Sequence, residues 1–259
     1  MDLLWGTVLL RPYVFAFLAV YLIGASLQFG VRAALTFLPI GYLLAFSSEY
    51  ASTHWGFPYG DYYYIPTTID QELWVFGVPF MDSLSYVFLS ACSYSTALFL
   101  CCPFEHPDAG KWGLRRAEPA WLPWLLGGLL MVFLDIVIDP VAYRGDRWFL
   151  GKIYGYPEPG HYFGIPISNF AGWFLVALVM IKVLQQLEKR WGKPPNSSLR
   201  QEMPAALWGP LLFLGVLVFN LAVTFCIGEY TLGLAGLFQI GLFVALGGTL
   251  ILYKVRYPV

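Results

Sequence analysis

WLPWLLGGLLMVFLDIVIDPVAY, Trp121 to Tyr143, contains no basic residue and two acids, both near its end. A helix needs about 17–25 predominantly apolar residues to cross a bilayer, and this run has them. Runs of that length recur along the 259-residue chain at 12–31, 33–50, 82–102, 120–142, 168–187, 205–227 and 231–253. Composition agrees, with 58% hydrophobic and 12% charged residues, a membrane-protein balance. The sequence predicts an all-α polytopic membrane helical bundle of about seven transmembrane helices. It predicts one integral membrane domain over residues 1–259, multi-pass in the cell (cytoplasmic) membrane. The first run lacks the basic start of a cleavable signal peptide.

Charge and cysteine usage exclude several classes. A net charge of -1 leaves no nucleic-acid footprint. Cys92, Cys101, Cys102 and Cys226 form no CxxC, so neither a disulfide framework nor a zinc site is indicated. A retinal Schiff base needs a lysine within the last helix, and Lys254 comes only at its end. Basic residues favour an outside N-terminus and a cytoplasmic C-terminus: Arg32, Lys111, Arg115, Arg116, Lys189, Arg190, Lys193, Arg200, Lys254 and Arg256 stand against Arg11, Arg144, Arg147 and Lys152.

Two connecting segments, 51–81 and 143–167, are long, fall on one face, and are rich in Gly, Pro and aromatics. Tyr and Trp at this density mark a membrane–water boundary, but long loops of this kind are usually functional. Segments 103–119 and 188–204, on the opposite face, are polar and mixed in charge, as solvated connectors are. Within the long loops the chain repeats itself. FGVPFMDSLSY, Phe76 to Tyr86, and FGIPISNFAGW, Phe163 to Trp173, each place an Asp or Asn three residues after the proline and an aromatic four residues later. Each follows a helix ending in acid, Glu49 in one case and Asp135 with Asp139 in the other. This predicts a parallel internal hairpin repeat, related by an axis along the membrane normal, with a site between the halves. Asp82 and Asn169 also suit helix N-caps.

Asp135 lies roughly 20 Å along its helix from Trp121, still within hydrocarbon. Asp135 and Asp139 are four apart and share one face, with Cβ atoms about 5–6 Å apart. Two carboxylates that close in low dielectric resist ionising together. An intramembrane acid costs on the order of 2.5–3.5 kcal/mol and marks a functional site by default. Glu49 joins them on the loop face, although it sits near a helix end from which it can snorkel; Glu229 is a weaker member. His54 and His161 lie there too, without HExxH or comparable ligand spacing, so no metal site is assigned. No nucleotide, P-loop or haem motif appears, and cofactor-free chemistry is expected. Carboxyls that give and take protons, aromatic faces that stabilise cations and restricted water together suit protonation of an isolated alkene.

Several blocks carry a family resemblance: Gly56 to Tyr64 (GFPYGDYYY), Gly77 to Tyr86, Asp135 to Pro140 (DIVIDP) and Gly164 to Trp173 (GIPISNFAGW). Over about residues 45–175 the chain resembles the carotenoid biosynthesis protein family, which includes carotenoid 1,2-hydratases such as bisanhydrobacterioruberin hydratase. Tyr86 stands where the family usually has Trp, and Asp82-Ser83 replaces a more apolar pair. The resemblance implies cofactor-independent addition of water to a terminal double bond of an acyclic carotenoid. It implies a hydrophobic isoprenoid or carotenoid substrate, the lipid bilayer as surroundings, and association with other carotenoid enzymes. On this basis Asp135 or Asp139 is expected to donate the proton, and Glu49 or Asp61 to orient the water or take its proton. Tyr59, Tyr62, Tyr64, Asp82, Tyr86, Trp148, Asn169 and Trp173 are expected to bind substrate. The alternatives are a lycopene cyclase-like proton-initiated isomerase and a non-catalytic carotenoid-binding membrane subunit.

Overall fold

The computed structural model describes residues 2–105, 113–115, 120–192 and 200–257. Among them lie the helices α1 Leu3–Leu10, α2 Pro12–Phe29, α3 Val31–Trp55, α4 Phe80–Cys101, α5 Trp121–Ala142, α6 Ile167–Trp191, α7 Met203–Cys226 and α8 Tyr230–Arg256. The seven from α2 onward are long and apolar enough to span a membrane, and each covers one predicted run. The chain is an all-α polytopic membrane bundle. Its centre is α4, of whose most apolar window 83% is buried, whereas α8 buries 11% and forms the lipid-facing edge. Ser83, Ser90, Ser93, Ser95 and Thr96 of α4 are all buried; small side chains let membrane helices approach closely. One interhelical node sits there: Ser95 Oγ and Trp208 Nε1 both donate to Gln28 Oε1, each at 2.6 Å.

Two boundaries differ from expectation with consequences for the site. α3 runs on to Trp55 and stops at Gly56, whose φ of 70° is the left-handed conformation that ends many helices. Glu49 is therefore not at a helix end free to snorkel; it lies inside α3, 3% exposed. α1 is an extra helix, too short to register as a span, capped by Asp2 Oδ1 accepting from the Leu4 N–H at 3.0 Å.

The repeat is a repeat of backbone as well as sequence. Phe76 and Phe163 both adopt positive φ, 46° and 51°, and the glycines after them do too, 81° at Gly77 and 96° at Gly164. Val78 and Ile165 then bury their side chains, and Pro79 and Pro166 occupy the N-caps of α4 and α6. Proline, lacking an N–H and pre-set in φ, starts a helix without leaving a donor unpaired. Asp82 and Asn169 are thus in the first helical turn and are not N-caps, and neither helix has a side-chain cap bond. α4 packs on α5 and α6 on α3, as expected if a twofold axis exchanges α3 with α5 and α4 with α6. Tyr86 and Trp173, equivalent in the two copies, stack on each other with centroids 4.3 Å apart and planes 19° apart, so the two copies meet at these rings.

One stability expectation follows from the paired turns. Gly164→Ala and Gly77→Ala both incur left-handed strain of about 1–2 kcal/mol. A Cβ at Gly77 meets nothing within 4 Å, whereas one at Gly164 sits 2.7 Å from the Tyr143 ring. Gly164→Ala should lower the unfolding temperature of the detergent-solubilised protein more than Gly77→Ala does. Equal shifts would show that the Tyr143 ring yields freely.

The two long loops are stitched together. Tyr63 and Tyr64 pair antiparallel with Gly155 and Tyr154, and the Ile65 N–H donates to Ile153 O at 2.7 Å. On the opposite face, the segments read as solvated connectors form a three-stranded sheet from Phe104–Glu105, Gly113–Arg115 and Arg200–Glu202. Phe104 and Leu114 are buried there, which explains why polar segments hold regular structure. His106, Lys111, Arg116 and Lys193 lie outside the described residues.

Candidate functional site

Beneath the stitched loops, α2 to α7 line a cavity of about 140 Å³. Its acid wall comes from both halves of the repeat. In the second half, α5 supplies Asp135 and Asp139, one turn apart on a shared face. Asn169, from the first turn of α6, donates through Nδ2 to Asp135 Oδ2 at 2.9 Å and to Asp139 Oδ2 at 2.7 Å. Asp135 is fully buried behind Asp139, which lines the cavity. The remaining Asp135 oxygen, Oδ1, receives no hydrogen bond from any donor. The two carboxyl groups lie one turn apart and share the Asn169 donor, an arrangement suited to holding one proton between them.

The first half mirrors this arrangement. Glu49 of α3 stands 86 residues before Asp135, close to the 87-residue offset of the repeat. Its Oε2 accepts from Ser83 Oγ, in the first turns of α4, at 2.6 Å. Asp82 and Tyr64 line the cavity with it. Each half therefore presents a membrane-helix acid braced by a polar side chain from the start of the next helix. The Asp82-Ser83 pair supplies both the brace and a further acid.

Aromatic rings make the rest of the polar end. Tyr59, Tyr62, Tyr64, Tyr86, Trp148 and Trp173 all line the cavity. Tyr59 bonds Ser48 at 2.8 Å, and Trp148 Nε1 donates to Val141 O at 3.1 Å, fixing the indole against the end of α5. Sequence reasoning missed Tyr154 and Tyr156. Their hydroxyls donate to Asp139, to the backbone oxygen at 3.1 Å and to Oδ2 at 3.4 Å respectively. Their alternate spacing in YGYP, which puts both side chains on one side of an extended segment, was the available signal. Burial, and then the neighbouring carboxyls, push the phenols of Tyr62, Tyr64, Tyr154 and Tyr156 above their ordinary range. These groups stay neutral hydroxyl donors.

Asp61 is not brought to the cavity. It is exposed, and its carboxylate lies against the Gly56 turn that ends α3. A short loop after a left-handed cap turns the chain outward at this point. Glu229 is held by Arg144 at 3.3 Å and by Arg147, away from the acids. His54 stacks on Tyr50 at 3.9 Å and, like His161, is exposed. Among the described residues no three His, Cys, Asp or Glu side chains gather as metal ligands.

The remaining walls were not foreseen. Val14 and Phe17 of α2, Phe88 and Leu89 of α4, and Val216 and Phe219 of α7 extend the cavity as an apolar arm. Above it, Arg11 is wholly buried and doubly bonded to Glu72, Nε to Oε2 at 3.0 Å and Nη2 to Oε1 at 2.7 Å. Its Nη1 donates to Leu150 O at 2.7 Å, which ties the α1–α2 junction to both long loops.

An enclosed set of carboxyls facing aromatic rings, with an apolar extension, fits a hydrophobic molecule that must be protonated or held as a cation. No curated protein and no solved structure matches the chain. The sequence model of the carotenoid biosynthesis proteins matches residues 6–243, from α1 into α8, well beyond the blocks that first carried the resemblance. It covers both copies of the repeat and every cavity wall, and the chain belongs to the carotenoid biosynthesis protein family.

Proposed function

We propose that the protein adds water across the terminal isopropylidene C=C of an acyclic carotenoid, as a multi-pass hydro-lyase of the cell membrane. The observation that carries this is the braced carboxyl pair, Asp135 behind Asp139, facing an aromatic cavity at membrane depth. Asp139 gives its proton to the CH carbon of the double bond. The cation then forms at the carbon bearing two methyl groups, where tertiary substitution stabilises it. The rings of Tyr86, Trp173 and Trp148 offer faces to that positive charge. A water oxygen bonds to the cation, and the proton it sheds goes to Glu49 on the opposite half of the repeat. Proton return to Asp139 closes the cycle, and alkene plus water has become a tertiary alcohol. Asn169 positions both aspartates, and the tyrosine hydroxyls can hold the water. Asp61, exposed outside the cavity, has no part in this scheme.

Two acid stations in one cavity also fit a lycopene cyclase-like isomerisation, in which the second station removes a proton from carbon. Expression in a bacterium that makes lycopene, followed by mass analysis of extracted pigment, separates these outcomes. Hydration predicts a gain of one or two waters, and cyclisation an unchanged mass with altered retention. Unaltered pigment bound to purified protein would point instead to a binding subunit and sink the catalytic assignment. Association with other carotenoid enzymes, expected from the family, is proposed on the same basis.

A further inference from the structure

The carboxyls of the cavity gather on one side, while its α2 and α7 walls are mostly apolar, with Tyr13 and Asn220 as their polar members. Acids and phenols come from α3, α5, the start of α4 and α6, and the loops, whereas the arm between α2, α4 and α7 presents Val14, Phe17, Phe88, Leu89, Val216 and Phe219. Phe88 lies about 12 Å along α4 from Phe80 at 1.5 Å per residue, so the arm reaches only partway through a hydrocarbon core of about 30 Å. A polyene nearly as long as that core cannot fit inside with its end at the acids. The rest of the chain must leave the protein, and leaving sideways into lipid avoids exposing it to water.

The walls differ in how they could let it pass. α2 and α7 cross closely where Gly24 receives the Trp208 ring, a site where any Cβ would sit 2.3 Å from the indole. Toward the loops the same two helices meet through rings: Tyr13 stacks on Phe219 at 5.0 Å, and Phe17 meets Phe219 edge-on at 5.9 Å. All three rings line the cavity and are only partly buried. The outer faces of these helices carry exposed Val20, Ile23, Leu211 and Val218, a surface made for lipid. Side-chain rings can swing within nanoseconds, whereas the helix crossing below them is fixed by close packing.

We propose that Tyr13, Phe17 and Phe219 form a lateral gate between α2 and α7. Through it a long apolar polyisoprenoid chain enters from the bilayer, and within it the chain lies with its reacting end at the acids. The proposal rests on the carotenoid reading above and adds the route and the residues that select chain length.

The test compares wild type with Phe17→Trp and, independently, Phe219→Trp. Two quantities are read: lycopene bound per purified protein, and kcat/KM for lycopene relative to an acyclic C10 terpene with the same isopropylidene end. The short molecule reaches the acids without occupying the arm. Both variants should bind at least tenfold less lycopene, and the lycopene-to-C10 ratio of kcat/KM should fall at least tenfold. Equal losses for both substrates, or unchanged lycopene binding in both folded variants, would overturn the gate. If wild type hydrates neither substrate, the hydratase assignment fails. The gate is then still decided by lycopene stoichiometry alone.

Discussion

Asp139→Asn should give a folded protein that still binds its pigment but turns it over about 10²–10⁴-fold more slowly, the range that a positioned acid or base contributes. The substitution keeps the side-chain shape. The new side chain keeps an oxygen to accept from Asn169 Nδ2, as Asp139 does, but carries no transferable carboxyl proton. Asp135→Asn should fall in the same direction, because Asp135 shares the proton and Asn169 braces both carboxyls. Glu49→Gln removes the proposed acceptor while leaving an oxygen for Ser83 Oγ. Asp61→Asn, outside the cavity, serves as the contrast and should turn over as wild type does. Product formation by mass analysis, with bound pigment as the folding control, decides the matter. Full turnover by Asp139→Asn would eliminate the acid mechanism.

The candidate site was legible in the sequence where a residue was out of place for its surroundings. Asp135 and Asp139 announce themselves because hydrocarbon penalises charge, and the repeat announces itself because a left-handed Phe-Gly turn followed by proline is a demanding backbone. The spans followed from length and hydropathy, since a bilayer imposes both. What stayed hidden depends on azimuth and on distant partners. Nothing in Phe17 or Phe219 distinguishes a ring facing a cavity from one facing lipid, because both environments are apolar. Tyr154 and Tyr156 were lost among aromatics that an interface alone would explain. Asp61 was drawn into the site by its place in GFPYGDYYY. Whether that carboxylate turns inward depends on the Gly56 cap, and so on α3 continuing past residue 50. The same continuation moves Glu49 from a snorkelling position to a buried one braced by Ser83. The first-half acid thus became interpretable only together with the helix boundary.

Arg11 shows most sharply what sequence could not give, and it carries the largest expected effect on stability. In the sequence it is one outer-face charge among four; in the fold both it and Glu72 have no exposed side-chain surface. Glu72 accepts further from Thr68 Oγ1, so the carboxylate is held by three donors, and a third guanidinium donor goes to Leu150 O. Removing one partner strands the other charge out of water, at a cost of about 3–5 kcal/mol. Arg11→Met and Glu72→Leu should each destabilise by that amount in thermal unfolding of the detergent-solubilised protein. Taking out both charges together removes the stranded one, and apolar replacement of a whole buried pair is often near neutral. The double variant should therefore be more stable than either single one. If the two single losses simply added, the charges would not be coupled and the ion pair would not be what joins the α1–α2 junction to the loops. Leu150 lines the cavity, and so does Tyr13, two residues after Arg11. The pair thus anchors a segment that lines the cavity. Each single variant should consequently lose bound lycopene at temperatures well below its unfolding transition, while the double variant, with that segment packed and uncharged, should retain it.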